Sequence, residues 1–186
     1  MPKKRKRWRD LRADERFAEA ILCAEANGGM TFNLNLNAAQ EERLLHHPDP
    51  FRCFQKRLSG ALTRHGVNGL PWAAHLEVDR DSGKLHLHGV FILDGLDKET
   101  VKRALREAAG LVRKQHSAPR QLRLKDIEDA PGWVGYLGKH VGFTRRFLGD
   151  KNLSGVSQHL TRLARARYEE IHRKPGRLIA DLAIAA

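Results

Sequence analysis

The sequence has few cysteines, no long apolar run and no apolar segment at its N-terminus, and each of these absences excludes a class of protein. The chain has only two cysteines, Cys23 and Cys53, in 186 residues, which is too few for a disulfide framework. We expect both to be reduced thiols of an intracellular protein. No run comes near the roughly 18 apolar residues that a membrane-spanning helix needs. The basic N-terminus leads into Trp8, Arg9 and Asp10 and not into an apolar segment, so we expect no secretory signal.

The composition that remains is typical of a folded protein. Hydrophobic residues make up 41% of the chain and charged residues 30%, which indicates a soluble globular protein and excludes a disordered one. The length favours a single domain with an added arm or tail. A chain of this size buries roughly 70% of its unfolded surface, so it can fold without a disulfide or a structural metal.

The positive charge is concentrated at two segments near the ends of the chain. The formal net charge is +12, which indicates a polyanionic partner. Residues 1–12 hold seven Lys or Arg against one Asp, and residues 139–177 hold ten against three acidic residues. Two basic ends suit a clamp on a phosphate backbone. The residues that we expect to contact DNA are Lys3, Lys4, Arg5, Lys6, Arg7, Arg145 and Arg146.

The basic run at residues 2–7 has a second interpretation, because it also resembles a nuclear import signal. Its sequence, Pro-Lys-Lys-Arg-Lys-Arg, suits a disordered DNA-binding arm equally well. The Ala- and Arg-rich remainder of the chain is bacterial in character, so we expect a cytoplasmic bacterial protein. Import into a nucleus would apply only in a eukaryotic host.

The pattern of apolar residues predicts an α+β fold. Phe32, Leu34 and Leu36 alternate with three asparagines, which is typical of a strand with one polar face. Strands are predicted at residues 30–37, 72–78, 84–93 and 119–127, the middle two as a hairpin. Helices are predicted at about residues 13–26, 48–65, 97–115, 129–141 and 157–173, with a loop before the last. This order predicts a ferredoxin-like or RRM-like antiparallel sheet of four or five strands with helices on one face.

The first motif with a chemical implication is His86-Leu87-His88. Residues i and i+2 of a strand point to the same face, so both imidazoles project together. Two neutral imidazoles on one face can bind a divalent metal. One such pair is weak evidence in a chain with ten histidines. A further ligand on the neighbouring strand would strengthen the prediction of a metal site.

The hairpin brings two candidates for that third ligand. If the turn is centred at residues 81–82, Glu77 lies opposite His86 and His75 lies opposite His88, all on one face. Glu77 offers the carboxylate oxygen that suits Mg²⁺ or Mn²⁺. His75 is a rival third ligand, or a residue that supports one. A shift of register by one residue would turn Glu77 to the other face.

The second motif is Tyr136-Leu-Gly-Lys139. At positions i and i+3 of a helix, Tyr136 and Lys139 are neighbours on one face. A phenol with a pKa of about 10 is a poor nucleophile at neutral pH, and a nearby ammonium group with a metal-bound phosphate would favour the phenolate. Gly132, Gly135 and Gly138 suit either a backbone that approaches a substrate or a short irregular helix.

Together these motifs resemble those of the HUH endonucleases. The similarity is greatest to the single-tyrosine Rep proteins that initiate rolling-circle replication, and it covers about residues 30–145. Residues 31–37 occupy the place of the family's first motif, although their polar residues are not a standard version of it. Tyr136 follows the histidines, whereas conjugative relaxases generally place the tyrosine first. Small HUH transposases typically carry Gln where this chain has Lys139.

The resemblance implies a mechanism. A divalent metal, Mg²⁺ or Mn²⁺, held by His86, His88 and Glu77 would polarise the scissile phosphate of single-stranded DNA. Tyr136 would attack it, leaving a 5′-phosphotyrosine and a free 3′-OH, and Lys139 would offset charge near the phosphate. The reverse reaction would rejoin strands.

We divide the chain accordingly. Residues 1–12 form the basic arm, which we expect to be disordered, residues 13–150 form the nuclease domain and residues 151–186 form a helical extension. The sequence has no P-loop, so a separate host helicase would unwind the DNA.

Several alternatives stay open at this point. The chain could be an HUH-type transposase or relaxase that mobilises DNA, or a metal-dependent hydrolase that uses no covalent tyrosine. It could also be a non-catalytic nucleic-acid-binding module. Such modules stack bases on sheet aromatics, whereas aromatic residues are only 6% here and no clear pair lies on the polar face. A covalent protein–DNA adduct would separate these functions.

Overall fold

A five-stranded antiparallel sheet forms the centre of the molecule. The structure, a computed structural model, describes residues 6–112, 118–139, 141–149 and 151–173. The strands are β1 (Met30–Asn35), β2 (Trp72–Val78), β3 (Leu85–Phe91), β4 (Leu122–Asp126) and β5 (Ser154–Val156). Their order across the sheet is β4-β1-β3-β2-β5, and every neighbouring pair is antiparallel. This confirms the predicted α+β class and ferredoxin-like sheet.

Three of the helices begin where a short polar side chain caps them. Asn37, Asp49 and Asp97 each accept a hydrogen bond from a backbone N–H in the first turn of a helix, which satisfies a donor that the helix itself leaves unpaired. The α-helices are α1 (Ala13–Ala26), α2 (Ala38–Leu45), α3 (Pro50–Arg64), α4 (Lys98–Ala108), α5 (Ala130–Lys139), α6 (Val141–Leu148) and α7 (Gln158–Arg173).

Helices cover both faces of the sheet, so the expectation of helices on one face is wrong. Helices α2, α3 and α4 pack over one face, around the buried rings of Phe32 and Phe91. Helices α1, α5 and α7 pack over the other, around Ala73 and Val90. The reason is that α1 and α7 carry apolar residues of their own, including Ile21 and Leu160, which are fully buried and need a partner surface.

The second face is covered at only one end. Helices α1, α5 and α7 lie over the part of β2 and β3 that contains Ala73 and Val90. The part nearer the β2–β3 turn, which carries Glu77 and His86, borders an open cleft on the same face. The polar end of the hairpin therefore borders the cleft at the edge of this helical cover.

Three short elements lie in segments for which the sequence predicted neither a helix nor a strand. Helices α2 and α6 have eight residues each, and β5 has three. Helix α4, in contrast, ends at Ala108 and not near residue 115. Gly110 follows it with a φ of 78°, in the left-handed region that commonly ends a helix.

The described residues on either side of the predicted domain pack against it. Residues 8–10 form a 3₁₀-helix, and the buried Trp8 ring packs edge-on against the ring of Tyr168, with centroids 5.7 Å apart. The structure thus differs from the expected disordered arm over residues 6–12. Strand β5 pairs with β2, and α7 packs on α1, so residues 151–173 pack against the rest of the fold.

Within the described ranges, every helix is too short or too polar to cross a bilayer.

Candidate metal centre and cleft

The β2–β3 hairpin has the predicted register. Glu77 pairs with His86, and His75 pairs with His88. All four residues therefore occupy the same face of the sheet, because their positions on each strand differ by two. The third ligand could be proposed from sequence only because this register was predictable.

The turn of the hairpin fixes that register. The carboxylate of Asp79 accepts a hydrogen bond from the backbone N–H of Ser82 at 2.7 Å, and the Asp79 N–H donates to the Lys84 carbonyl oxygen at 2.9 Å. Gly83 has a φ of 67°, which glycine adopts without steric cost. These local interactions are encoded within a few residues, which is why the turn position follows from the sequence.

Glu77, His86 and His88 converge on one point and could hold a metal ion. One ligand atom of each lies within 4.8 Å of the other two. His86 Nε2 is 3.0 Å from His88 Nε2, which in turn is 3.3 Å from Glu77 Oε2. Glu77 Oε2 is buried and has no hydrogen-bond partner among the described residues. A buried carboxylate oxygen beside two imidazole nitrogens is a donor set that fits a divalent cation.

Burial makes the charge of Glu77 costly in the absence of a cation. Only 5% of the residue is exposed. Burial, followed by the negative charge of Asp79, raises the pKa of Glu77 to about 6, although Arg80 acts in the opposite direction. A bound cation would offset that cost.

His75 is not part of the group of three. Its ring packs edge-on against Phe17 of α1, with centroids 6.4 Å apart. Burial, followed by the positive charges of Arg145 and His86, lowers the pKa of His75 to about 4, so the ring is neutral at physiological pH. Its Nε2 is buried without a hydrogen-bond partner in the part of the chain that the structure describes.

Tyr136 of α5 lies beside the candidate metal ligands. Its ring contacts His88 edge-on, with centroids 5.5 Å apart and an interplanar angle of 89°. Trp133 stacks on Tyr136 at 5.2 Å and 11°, and also contacts His88 at 5.6 Å. Tyr136 is nevertheless 42% exposed. Aromatic packing thus orients this phenol while leaving it accessible. We did not single out Trp133 from the sequence, although its i, i+3 spacing to Tyr136 was a usable signal.

The charges around Tyr136 oppose its ionisation in the metal-free protein. Burial raises the pKa of Tyr136, and the carboxylates of Glu77 and Asp79 raise it further. Lys139, one turn along α5, is exposed and makes no hydrogen bond or ion pair with any described residue. The ammonium group of Lys139 is therefore available to contact a ligand.

The ligands and Tyr136 share one open cleft of about 340 Å³. Asn33 of β1 pairs with His88 and lines the same cleft. Its Oδ1 is buried and has no hydrogen-bond partner among the described residues, so this amide oxygen could add a fourth donor. The lining residues are Asn33, Glu77, Asp79, Arg80, Asp81, His86, His88 and Tyr136.

The predicted DNA-contacting residues fall into two regions. Lys6 and Arg7 form ion pairs with Glu15 and Asp10 near α1, whereas Lys3, Lys4 and Arg5 lie outside the described residues.

The other two predicted DNA-contacting residues are on α6, next to the cleft. Arg145 and Arg146 are exposed there, and the positive charge of Arg145 contributes to the lowered pKa of His75. Arg80 also lines the cleft. It was missed by sequence reasoning because a single arginine in a turn belongs to no recognisable motif.

Comparisons with protein-family models, with curated proteins and with solved structures gave no match.

Proposed function

We propose that this protein nicks and rejoins single-stranded DNA through a covalent intermediate on Tyr136, as Rep-type HUH endonucleases do. One observation carries the proposal: the ring of Tyr136 contacts His88, a member of the group that could hold a metal ion. A nucleophile and a cation site in one cleft are the two parts that phosphoryl transfer to a tyrosine requires.

Glu77, His86 and His88 would hold the metal, and their oxygen and nitrogen donors suit Mn²⁺ or Mg²⁺. When bound, the ion supplies a Lewis acid for a phosphate oxygen and a positive charge that offsets the carboxylates beside Tyr136.

The protein side chains perform the transfer. The Tyr136 oxygen forms a bond to phosphorus as the bond from phosphorus to the 3′ oxygen breaks. The phenol gives its proton to solvent water in the open cleft, and the departing 3′ oxygen takes up a proton from water to become a free hydroxyl. Lys139, exposed one helical turn away, offsets negative charge on the phosphate. Attack by a 3′-OH on the phosphotyrosine reverses these bond changes and rejoins a strand.

The substrate class follows from charge and access. A net charge of +12 favours a polyanion. The cleft is open and lies on the exposed end of a sheet face, where an unpaired strand can reach Tyr136. We place the activity in a bacterial cytoplasm, with a separate helicase supplying unwound DNA.

Covalent trapping tests this function. The protein is incubated with a mixed-sequence single-stranded DNA library and Mn²⁺, then separated on a denaturing gel. We expect a denaturant-resistant adduct that disappears with EDTA and with Tyr136→Phe, while the variant still binds DNA.

The matched control is Tyr168→Phe, which alters the only other tyrosine. Tyr168 is buried and donates a hydrogen bond to the Lys6 carbonyl oxygen at 2.8 Å, so its variant should still form the adduct. An adduct that survives Tyr136→Phe, or the absence of any adduct with the unaltered protein, would contradict the proposal.

A further inference from the structure

Helix α6 presents an aromatic pair that the function proposed above does not use. The rings of Phe143 and Phe147 lie 6.5 Å apart on successive turns. Phe143 packs partly against the core, whereas Phe147 is 53% exposed. An exposed aromatic ring next to positive charge is a candidate stacking surface for a nucleic-acid base.

The helix holds this pair in a fixed position next to the metal ligands. Thr144 is fully buried, and its Oγ1 accepts a hydrogen bond at 3.1 Å from the N–H of Val78, the residue after Glu77. Leu148 is also buried in the core. The exposed face of α6 is therefore a rigid neighbour of the site.

Arg80 connects the cleft to the aromatic pair. Its guanidinium lies 5.5 Å over the ring of Phe143, and the same residue lines the cleft. Arg146 is exposed between the two phenylalanines in sequence, and α6 contains no acidic residue. The surface formed by Arg80, Phe143, Arg146 and Phe147, here called the α6 shelf, thus combines aromatic rings with positive charge.

We infer that the α6 shelf binds the bases of single-stranded DNA on one side of the phosphate that is cut. Phe147 stacks on a base, while Arg80 and Arg146 contact the phosphates that flank it. Alternating aromatic and cationic groups match the alternation of bases and phosphates along a single strand. The inference rests on the proposed function and deepens it by naming the surface that holds the strand.

The test measures binding without cleavage. The Tyr136→Phe protein is titrated with a fluorescent mixed-sequence single strand in EDTA. Adding Phe147→Ala should weaken binding by about tenfold or more, in the range found for loss of a stacked base, and Phe147→Trp should restore it. Leu111→Ala, which truncates an equally exposed side chain after α4 (57% exposed), should leave binding unchanged.

An abasic strand of the same length separates stacking from charge. The protein with Phe147 should bind it less tightly than the normal strand, and Phe147→Ala should have no further effect on it. The inference is overturned if Phe147→Ala binds the normal strand as before, or weakens binding to both strands equally. It is also overturned if the variant changes only self-association, measured by sedimentation. A missing covalent adduct with these binding results intact would contradict the nicking function alone.

Discussion

Glu77 and His75 occupy alternate positions on β2, and burial shifts their pKa values in opposite directions. Burial disfavours whichever form carries charge, so the pKa of Glu77 rises to about 6 and that of His75 falls to about 4. The two candidates for the third ligand could not be separated from sequence, because both were predicted on one face. Packing of Phe17 against His75, a contact between distant parts of the chain, distinguishes them.

Metal binding should distinguish the same two residues. We expect Glu77→Ala and His88→Ala to lower the affinity for Mn²⁺ by at least about tenfold, because changing a residue that merely supports a metal ligand already has an effect of that size. His75→Ala should leave the affinity within a few-fold of the unaltered protein. Isothermal titration calorimetry measures each affinity. A larger loss from His75→Ala than from Glu77→Ala would show that the third ligand is misassigned.

The raised pKa of Glu77 predicts a pH-dependent cost to stability. Below the ordinary pKa of 4.5, both the folded and the unfolded state hold the proton. As pH rises from 4.5 to about 6, the unfolded state ionises first, so the free energy of unfolding falls and then stays lower. A shift of this size is worth about 2 kcal/mol.

Glu77→Gln removes that ionisation while keeping the shape of the side chain. In EDTA at pH 7.5, the variant should be more stable than the unaltered protein by about 2 kcal/mol, and the difference should vanish near pH 4. Urea denaturation at the two pH values measures it. Equal stabilities at pH 7.5 would show that the carboxylate is not destabilised by burial.

At the scale of elements, long patterned segments were predictable and short ones were not. The α1, α3 and α7 helices and the β2–β3 hairpin follow from their own periodicity and turn residues. Helix α6 has eight residues, and its buried side includes the polar residue Thr144, so its apolar pattern is weak. Strand β5 is a strand because it pairs with β2. No local sequence signal predicts that pairing.

One side-chain oxygen links α6 to β2 by a buried hydrogen bond. Thr144→Val keeps the volume but removes the acceptor for the buried N–H of Val78. We expect a loss of about 1–3 kcal/mol in the free energy of unfolding and faster exchange of the Val78 amide. Thr63→Val, at an exposed position of α3, should change stability by less than about 0.5 kcal/mol. Unfolding measurements and hydrogen exchange test both, and an unchanged Val78 amide would contradict the stated role.

At the scale of the whole molecule, the order of elements was enough to predict the sheet but not the second helical layer. The β-α-β-β-α-β order of the centre confines its topology to few choices. The segments before and after this centre are far apart in sequence but in contact in the folded chain, as the packing of Trp8 against Tyr168 shows. No local pattern predicts such a contact. Their packing covers one end of a sheet face, and the cleft lined by the candidate metal ligands and Tyr136 borders the other end.

The most direct test of the central claim is to locate the residue that carries DNA after reaction. Trypsin cleaves after Lys and Arg, so it releases residues 126–139 as one peptide with Tyr136 as its only tyrosine, and it places Tyr168 in a different peptide, residues 168–173. After reaction with single-stranded DNA and Mn²⁺ and digestion of the attached strand, tandem mass spectrometry should find a 5′-phosphodeoxynucleotide on Tyr136. Attachment to Tyr168 or to any other residue, or no attachment at all, would contradict the account.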